Sequence, residues 1–78
     1  MIGRYSGDGA TVTGKVTVIA ATTRALLCQI PATRSTSARE VWVPHSVIHE
    51  RSQVTDFGIN STGTLVVARW FHAKEGLP

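Results

Sequence analysis

The sequence predicts a small all-β domain, an antiparallel SH3-like or OB-like barrel of four to five strands with a short C-terminal helix. Two observations carry this prediction: short runs of β-forming residues recur along the chain, and glycine, proline or hydroxyl residues separate them. The chain contains no internal repeat, coiled-coil pattern or domain linker. We therefore expect residues 1–9 to form a flexible N-terminal arm and residues 10–78 to form a single domain.

The first strand is expected over residues 11–20, where apolar and polar residues alternate. Its core face would carry Val12, Val16, Val18 and Ala20. Gly14 interrupts that face and predicts a bulge or a sharp bend. The next strand, residues 25–30, is too short for a stable helix before Pro31, and it would bury Leu26, Cys28 and Ile30.

Residues 31–38 are small and polar and predict a loop. The strand that follows, residues 39–43, should pair antiparallel with residues 25–30 and place either Val41 and Val43 or Trp42 on the core face. It ends at Pro44, because proline has no N–H for a ladder. Beyond the proline, Val47 and Ile48 would fold back onto the sheet.

The C-terminal third predicts one clear strand and one helix. Residues 50–60 form a short strand or only a loop, residues 60–63 a turn, and residues 64–69 a strand. The chain then ends in one or two helical turns, because Gly76 suits the left-handed residue that ends a helix and Leu77 can pack back over the last turn. One of the two tryptophans, Trp42 or Trp70, is expected in the core and the other partly exposed.

Few residues suggest catalysis. The five acids are scattered, and the glycines lack the lysine and helix of a phosphate-binding loop, so we expect no enzymatic activity and no cofactor. Cys28 is the only cysteine, which excludes an internal disulfide and a zinc site built mainly on cysteines. Its position between Leu26 and Ile30 favours a buried hydrophobe over a nucleophile.

His45 and His49 are four residues apart and would share a helical face. They could bind zinc together with His72 or Cys28, but surface histidines flanking an apolar segment are the favoured interpretation.

A core this small contributes little stability by itself, so we expect that a homo-oligomer adds to it. The chain has no apolar stretch long enough for a signal peptide or a membrane span, which predicts a cytoplasmic protein.

The charge distribution favours an anionic partner. Net charge is +3 with a pI of about 9.8, and no acid occurs between Asp8 and Glu40. Aromatic residues alternate with the cations, which is typical of proteins that stack bases and contact phosphates. The predicted nucleic-acid-binding residues are Lys15, Arg24, Arg34, Arg39, Trp42 and Arg69. The alternatives are a solvated basic surface and a protein-binding patch formed by Trp70, Phe71 and Leu77.

Three blocks of the chain resemble a group of short phage and prophage proteins without assigned activity. Residues 22–27 match their Thr-x-Lys-Ala-Ile-Leu block, residues 40–46 match Glu-Val-Trp-Ile-Pro-Lys-Ser, and residues 70–77 match Trp-Phe-Ala-x-Glu-Lys-Gly-Leu. His45 replaces the usual lysine and His72 the usual alanine. The resemblance implies a phage or mobile-element setting, in which small basic β proteins serve DNA metabolism or dock on host proteins as inhibitors or adaptors.

Overall fold

Two antiparallel sheets and a short helix make up the protein in a computed structural model that describes residues 5–52 and 60–78. The elements are β1 (Gly9–Thr11), β2 (Val16–Ala21), β3 (Ala25–Ile30), β4 (Arg39–Pro44), a 3-10 turn (His45–Val47), β5 (Thr62–Gly63), β6 (Val66–Ala68) and α1 (Arg69–Glu75). The predicted mainly β class with a C-terminal helix is confirmed.

The larger sheet has the strand order β4-β3-β2-β5, and the smaller one pairs β1 with β6. All of these pairings are antiparallel. An isolated bridge from Ile48 to Val67 joins the residue after the 3-10 turn to β6 of the smaller sheet. Buried residues of the larger sheet and of β6 belong to one core cluster.

Strict alternation along β3 and β4 fills the core from the larger sheet. Leu26, Cys28 and Ile30 are buried on β3, and Val41 and Val43 are buried opposite them on β4. This confirms the predicted strand pairing, and of the two alternatives that the sequence left open it is Val41 and Val43, not Trp42, that face the core. Because side chains alternate between faces, Trp42 must lie on the other side of the sheet.

The predicted first strand is divided at Gly14, which has a φ of 86°. β1 ends before it and β2 begins after it, so the two halves belong to different sheets. A Cβ at this glycine would also lie 2.8 Å from Cγ of Pro31. The valines predicted for the core face, Val12, Val16 and Val18, are buried. Ala20 is half-buried instead, since the register of β2 against β3 shifts between Val18 and Ala20.

The C-terminal segment covers the core. The predicted strand over residues 64–69 is shorter than expected, because the chain turns into α1 directly after Ala68. Gly76 ends the helix in the left-handed conformation, with N–H bonds from Gly76 to Ala73 O and from Leu77 to His72 O. Phe71 and Leu77 are buried, as the prediction of a helix capped by its own tail requires.

Part of the predicted turn over residues 60–63 is a strand, because Thr62–Gly63 pairs with β2 as β5. Asn60 turns the chain with a φ of 76°, a conformation that asparagine adopts more readily than most residues. The segment predicted as a short strand or loop, residues 50–60, lies mostly outside the described residues.

Residues 5–9, which the sequence assigns to a flexible arm, form hydrogen bonds with the rest of the domain. Tyr5 donates its N–H to Ile48 O at 2.9 Å and accepts from the N–H of Glu50 at 3.0 Å, and Arg69 N–H bonds to Asp8 O at 3.0 Å. Gly9 already belongs to β1. These bonds join the segment to the domain; residues 1–4 lie outside the described residues.

Both histidines of the segment after Pro44 are buried, so the expectation of surface histidines is wrong. His45 is 9 % exposed and His49 is 4 % exposed. His45 Nε2 lies 3.3 Å from Thr22 O, and His49 Nε2 lies 3.0 Å from Gly7 O. His49 Nδ1 accepts the N–H of Arg51 at 3.1 Å. Since Nδ1 is the acceptor, Nε2 donates to Gly7 O, and both ring nitrogens have a partner.

This arrangement predicts a structural role for His49. His49→Phe should keep the edge-to-face contact with Tyr5, whose ring centroid lies 6.0 Å away, but leave Gly7 O and the Arg51 N–H without their partner. We expect a loss of about 1–3 kcal/mol in the free energy of unfolding, measured by urea denaturation. Glu50→Gln is the matched control, because it changes the exposed neighbour. Equal stability of the two variants would contradict this role.

Candidate nucleic-acid interface

The outer face of the larger sheet, the face turned away from the core, carries two cross-strand rows of side chains. One row is polar and crosses all four strands, with Glu40 opposite Gln29, Gln29 opposite Thr17 and Thr17 opposite Thr62. The threonine hydroxyls in this row lie 3.1 Å apart. The second row is apolar and consists of Trp42, Leu27 and Ala20.

Trp42 lies near the middle of β4 and is 49 % exposed. Trp70, on α1, is 56 % exposed and packs edge-to-face on Phe71 with ring centroids 5.9 Å apart. The expectation that one tryptophan fills the core is therefore wrong. Valines, leucines, isoleucines and Phe71 fill the described core without either indole.

The predicted cations are not gathered beside the indole but are distributed over the ends of the sheet. Lys15 precedes β2, Arg34 lies in the β3–β4 connection and Arg39 begins β4, so these three lie at one end. Arg24 lies in the β2–β3 turn at the opposite end. Strands of six residues separate these ends by roughly 17 Å.

Two of the predicted contacts are engaged within the protein. Arg39 Nη1 donates to Glu75 O at 2.9 Å, and its Nη2 lies 3.7 Å from the Glu75 carboxylate. Arg69 donates from Nε to Asp8 Oδ2 at 2.8 Å and from Nη2 to Oδ1 at 3.3 Å. The hydrogen bond and the charge of Arg69 lower the pKa of Asp8 below its ordinary value. Both arginines thus attach α1 to the rest of the domain.

The three remaining cations, Lys15, Arg24 and Arg34, are exposed and have no ion-pair partner in the described parts of the chain. Two of them sit on ordered turns. Thr22 Oγ1 accepts the N–H groups of Arg24 and Ala25 at 3.2 and 3.0 Å. Thr33 Oγ1 likewise accepts the N–H of Thr36 at 3.1 Å and holds the tip on which Arg34 lies.

The alternative patch of Trp70, Phe71 and Leu77 is reduced to one residue. Phe71 and Leu77 are each 6 % exposed and belong to the core, because the helix lays them against the inner face. Trp70 alone remains available to a partner. The sequence did not predict that Trp70 is exposed while Phe71 and Leu77 are buried, because this depends on how the helix is oriented against the core.

Cys28 and the histidines do not form a chemical site in the described residues. No three His, Cys, Asp or Glu side chains come together there as metal ligands. The thiol of Cys28 is fully buried on β3, and burial raises its pKa to about 11. At neutral pH the sulfur is therefore a thiol and not a thiolate nucleophile.

No helix among residues 5–52 and 60–78 is both long and apolar enough to cross a membrane. No protein-family model matches the chain, and no curated protein or solved structure is significantly similar to it.

The raised pKa of Cys28 predicts a pH-dependent stability. Between the ordinary thiol value of 9.0 and about 11, the unfolded thiol ionises while the folded one stays protonated, so stability falls as pH rises through this window. We expect the wild-type protein to lose about 2–3 kcal/mol more than Cys28→Ala across it. Urea denaturation of both proteins at several pH values measures the difference. Parallel pH profiles, or rapid labelling of the native thiol, would refute the assignment.

Proposed function

We propose that the protein binds single-stranded nucleic acid on the outer face of its larger sheet, with little dependence on sequence. The observation that carries the proposal is the exposed indole of Trp42 on a sheet face that no described element covers, with unpaired cations at both ends of the strands. Bases stack on an exposed aromatic ring, and cations beyond it contact phosphates. Stacking a base and contacting a phosphate require no chemical reaction, so we propose a binding protein and not an enzyme.

Each group has a defined role in this proposal. Trp42 stacks a base, with Leu27 supporting it from β3. Lys15 and Arg34 contact phosphates at one end of the sheet and Arg24 at the other. The face is short, so the expected site lies at the lower end of the about 4–16 nucleotides that one small barrel covers. Arg39 and Arg69 are secondary, since their guanidinium groups already have partners.

The polar row supports tolerance of sequence. Gln29, Thr17 and Thr62 offer donors and acceptors to any base, whereas the carboxylate of Glu40 keeps phosphates away from that corner of the face. A phage or mobile element is the proposed setting, on the resemblance of residues 22–27, 40–46 and 70–77 to short phage proteins alone. There, a cytoplasmic protein would meet single strands during replication or recombination.

An oligonucleotide titration tests the proposal. A fluorescently labelled thymidine oligonucleotide should bind at low salt, and log K should fall linearly as log salt rises. Trp42→Ala should weaken binding by about 5–150-fold, since stacking is worth about 1–3 kcal/mol per base. Trp70→Ala is the matched control, because it removes the other exposed indole. Absence of binding at low ionic strength would overturn the proposal.

The cations provide a second measurement within the same titration. Lys15→Ala, Arg34→Ala and Arg24→Ala should each reduce the salt slope by about 0.7. Lys74→Ala, on the exposed side of α1, should leave the slope unchanged. If Lys74 and the three sheet-end cations had equal effects, binding would depend on net charge and not on this face.

A second candidate function is a protein-interaction module that docks on a host protein. The observation in its favour is Trp70, whose indole is the more exposed of the two and lies on α1, the helix that packs against β1 and β6. Loss of partner capture in Trp70→Ala, with capture retained in the Lys15 and Arg24 variants, would favour this function. The reverse pattern favours nucleic acid.

A further inference from the structure

Glu40 is the one acid in the two rows of side chains that cross the outer face. It is exposed, and its carboxylate has no hydrogen bond or ion pair within residues 5–52 and 60–78. A carboxylate repels phosphate, so an acid on a face that holds a nucleic-acid strand weakens binding if only the backbone approaches it. Its place beside Trp42 is therefore favourable where the carboxylate accepts hydrogen bonds from a base.

The sheet places polar groups on one side of the indole only. Glu40 lies two residues from Trp42 on the same face of β4, a separation of about 7 Å at roughly 3.3 Å per residue. Gln29 lies opposite Glu40 on β3 and is the diagonal neighbour of Trp42. The pair beyond the indole, Pro44 with Ala25, has no side-chain donor or acceptor. A base stacked on the indole thus finds its side-chain hydrogen-bond partners at Glu40 and Gln29.

We propose that the base stacked on Trp42 is a guanine, which Glu40 selects through its Watson–Crick edge. This inference rests on the proposed binding of single-stranded nucleic acid. The carboxylate accepts the N1–H and one N2–H of the guanine as a bidentate pair, and the side-chain amide of Gln29 donates to O6. The preference applies to this one nucleotide, while the rest of the strand is held without regard to sequence.

The other bases do not match a carboxylate. Adenine and cytosine present one amino group next to a ring nitrogen whose lone pair faces the carboxylate oxygens. Thymine and uracil present a single N–H between two carbonyl oxygens. Guanine alone presents two adjacent donors, so it alone gives both oxygens of Glu40 a partner.

Four thymidine hexamers that differ only in one central base test the preference. At low salt, the hexamer with a central guanine should bind about 5–150-fold more tightly than those with adenine, cytosine or thymine, the range expected for one bidentate pair. Inosine lacks the N2 amino group and should lose most of this difference, whereas 7-deazaguanine keeps the Watson–Crick edge and should retain it. The ratio should be the same at higher salt, because a contact with a base releases no counterion.

A charge-matched pair of variants assigns the preference to Glu40. Glu40→Gln should remove most of it, because an amide offers one acceptor in place of two. The same variant should bind the all-thymine hexamer at least as tightly as the wild type, since it lacks a negative charge. Glu50→Gln is the control, because it removes an equal charge from an exposed acid outside the larger sheet and should leave the preference intact. Thermal unfolding of both variants checks that they are folded.

The outcomes separate this inference from the proposed function. Equal binding of all four hexamers to the wild-type protein would overturn the guanine preference and leave single-strand binding in place. A preference that persists in Glu40→Gln, or that inosine retains, would likewise overturn the role of the carboxylate. Absence of binding to every hexamer at low salt would overturn both proposals.

Discussion

The domain depends on covering the apolar inner face of its larger sheet. Its buried side chains need a cover, and a short chain without cross-links must supply that cover from segments far apart in sequence. β1 and β6 pair with each other, and Val12 N–H extends this pairing to Leu65 O at 2.8 Å. The tail is fixed by the bond from Thr13 N–H to Pro78 O at 3.0 Å. Burial of apolar surface on both sides is the main stabilising contribution. Each covering segment is short, so the hydrogen bonds at its ends determine where it lies.

Polar side chains between the two sheets hold these covering segments in place through hydrogen bonds. His49 joins the segment before β1 to the chain after the 3-10 turn, through Gly7 O and the Arg51 N–H. Ser52 continues this connection to β6, because its hydroxyl donates to Val66 O at 2.7 Å and accepts the Val66 N–H at 2.8 Å. An apolar residue at either position would leave a backbone N–H without its acceptor, that of Arg51 or that of Val66. The small core therefore contains polar residues because its edges consist of irregular backbone.

Local patterns predict much of this fold, and the long-range partners explain the rest. Alternation identifies β3 and β4 and their buried faces, and the Gly76–Leu77 sequence identifies the end of α1, because each signal depends on neighbours within a few residues. The burial of His49 depends on Gly7, which is 42 residues away. The pairing of Arg69 with Asp8 spans 61 residues. Contacts between residues so far apart leave no pattern in the local sequence. The residue types of the candidate site could therefore be predicted, but not which of its cations form ion pairs within the protein. The only local signal for the buried histidines is their position on either side of Val47 and Ile48.

The exposed indole of Trp42 is the feature that folding does not explain. The alternation that buries Val41 and Val43 requires residue 42 to face outward, but it does not require that residue to be apolar. A threonine there would keep β propensity and expose less apolar surface to water. The neighbouring row on the same face, Glu40, Gln29, Thr17 and Thr62, is polar, as expected for a solvated sheet. The exposed ring of Trp42 is therefore the feature that the proposed stacking of bases would account for.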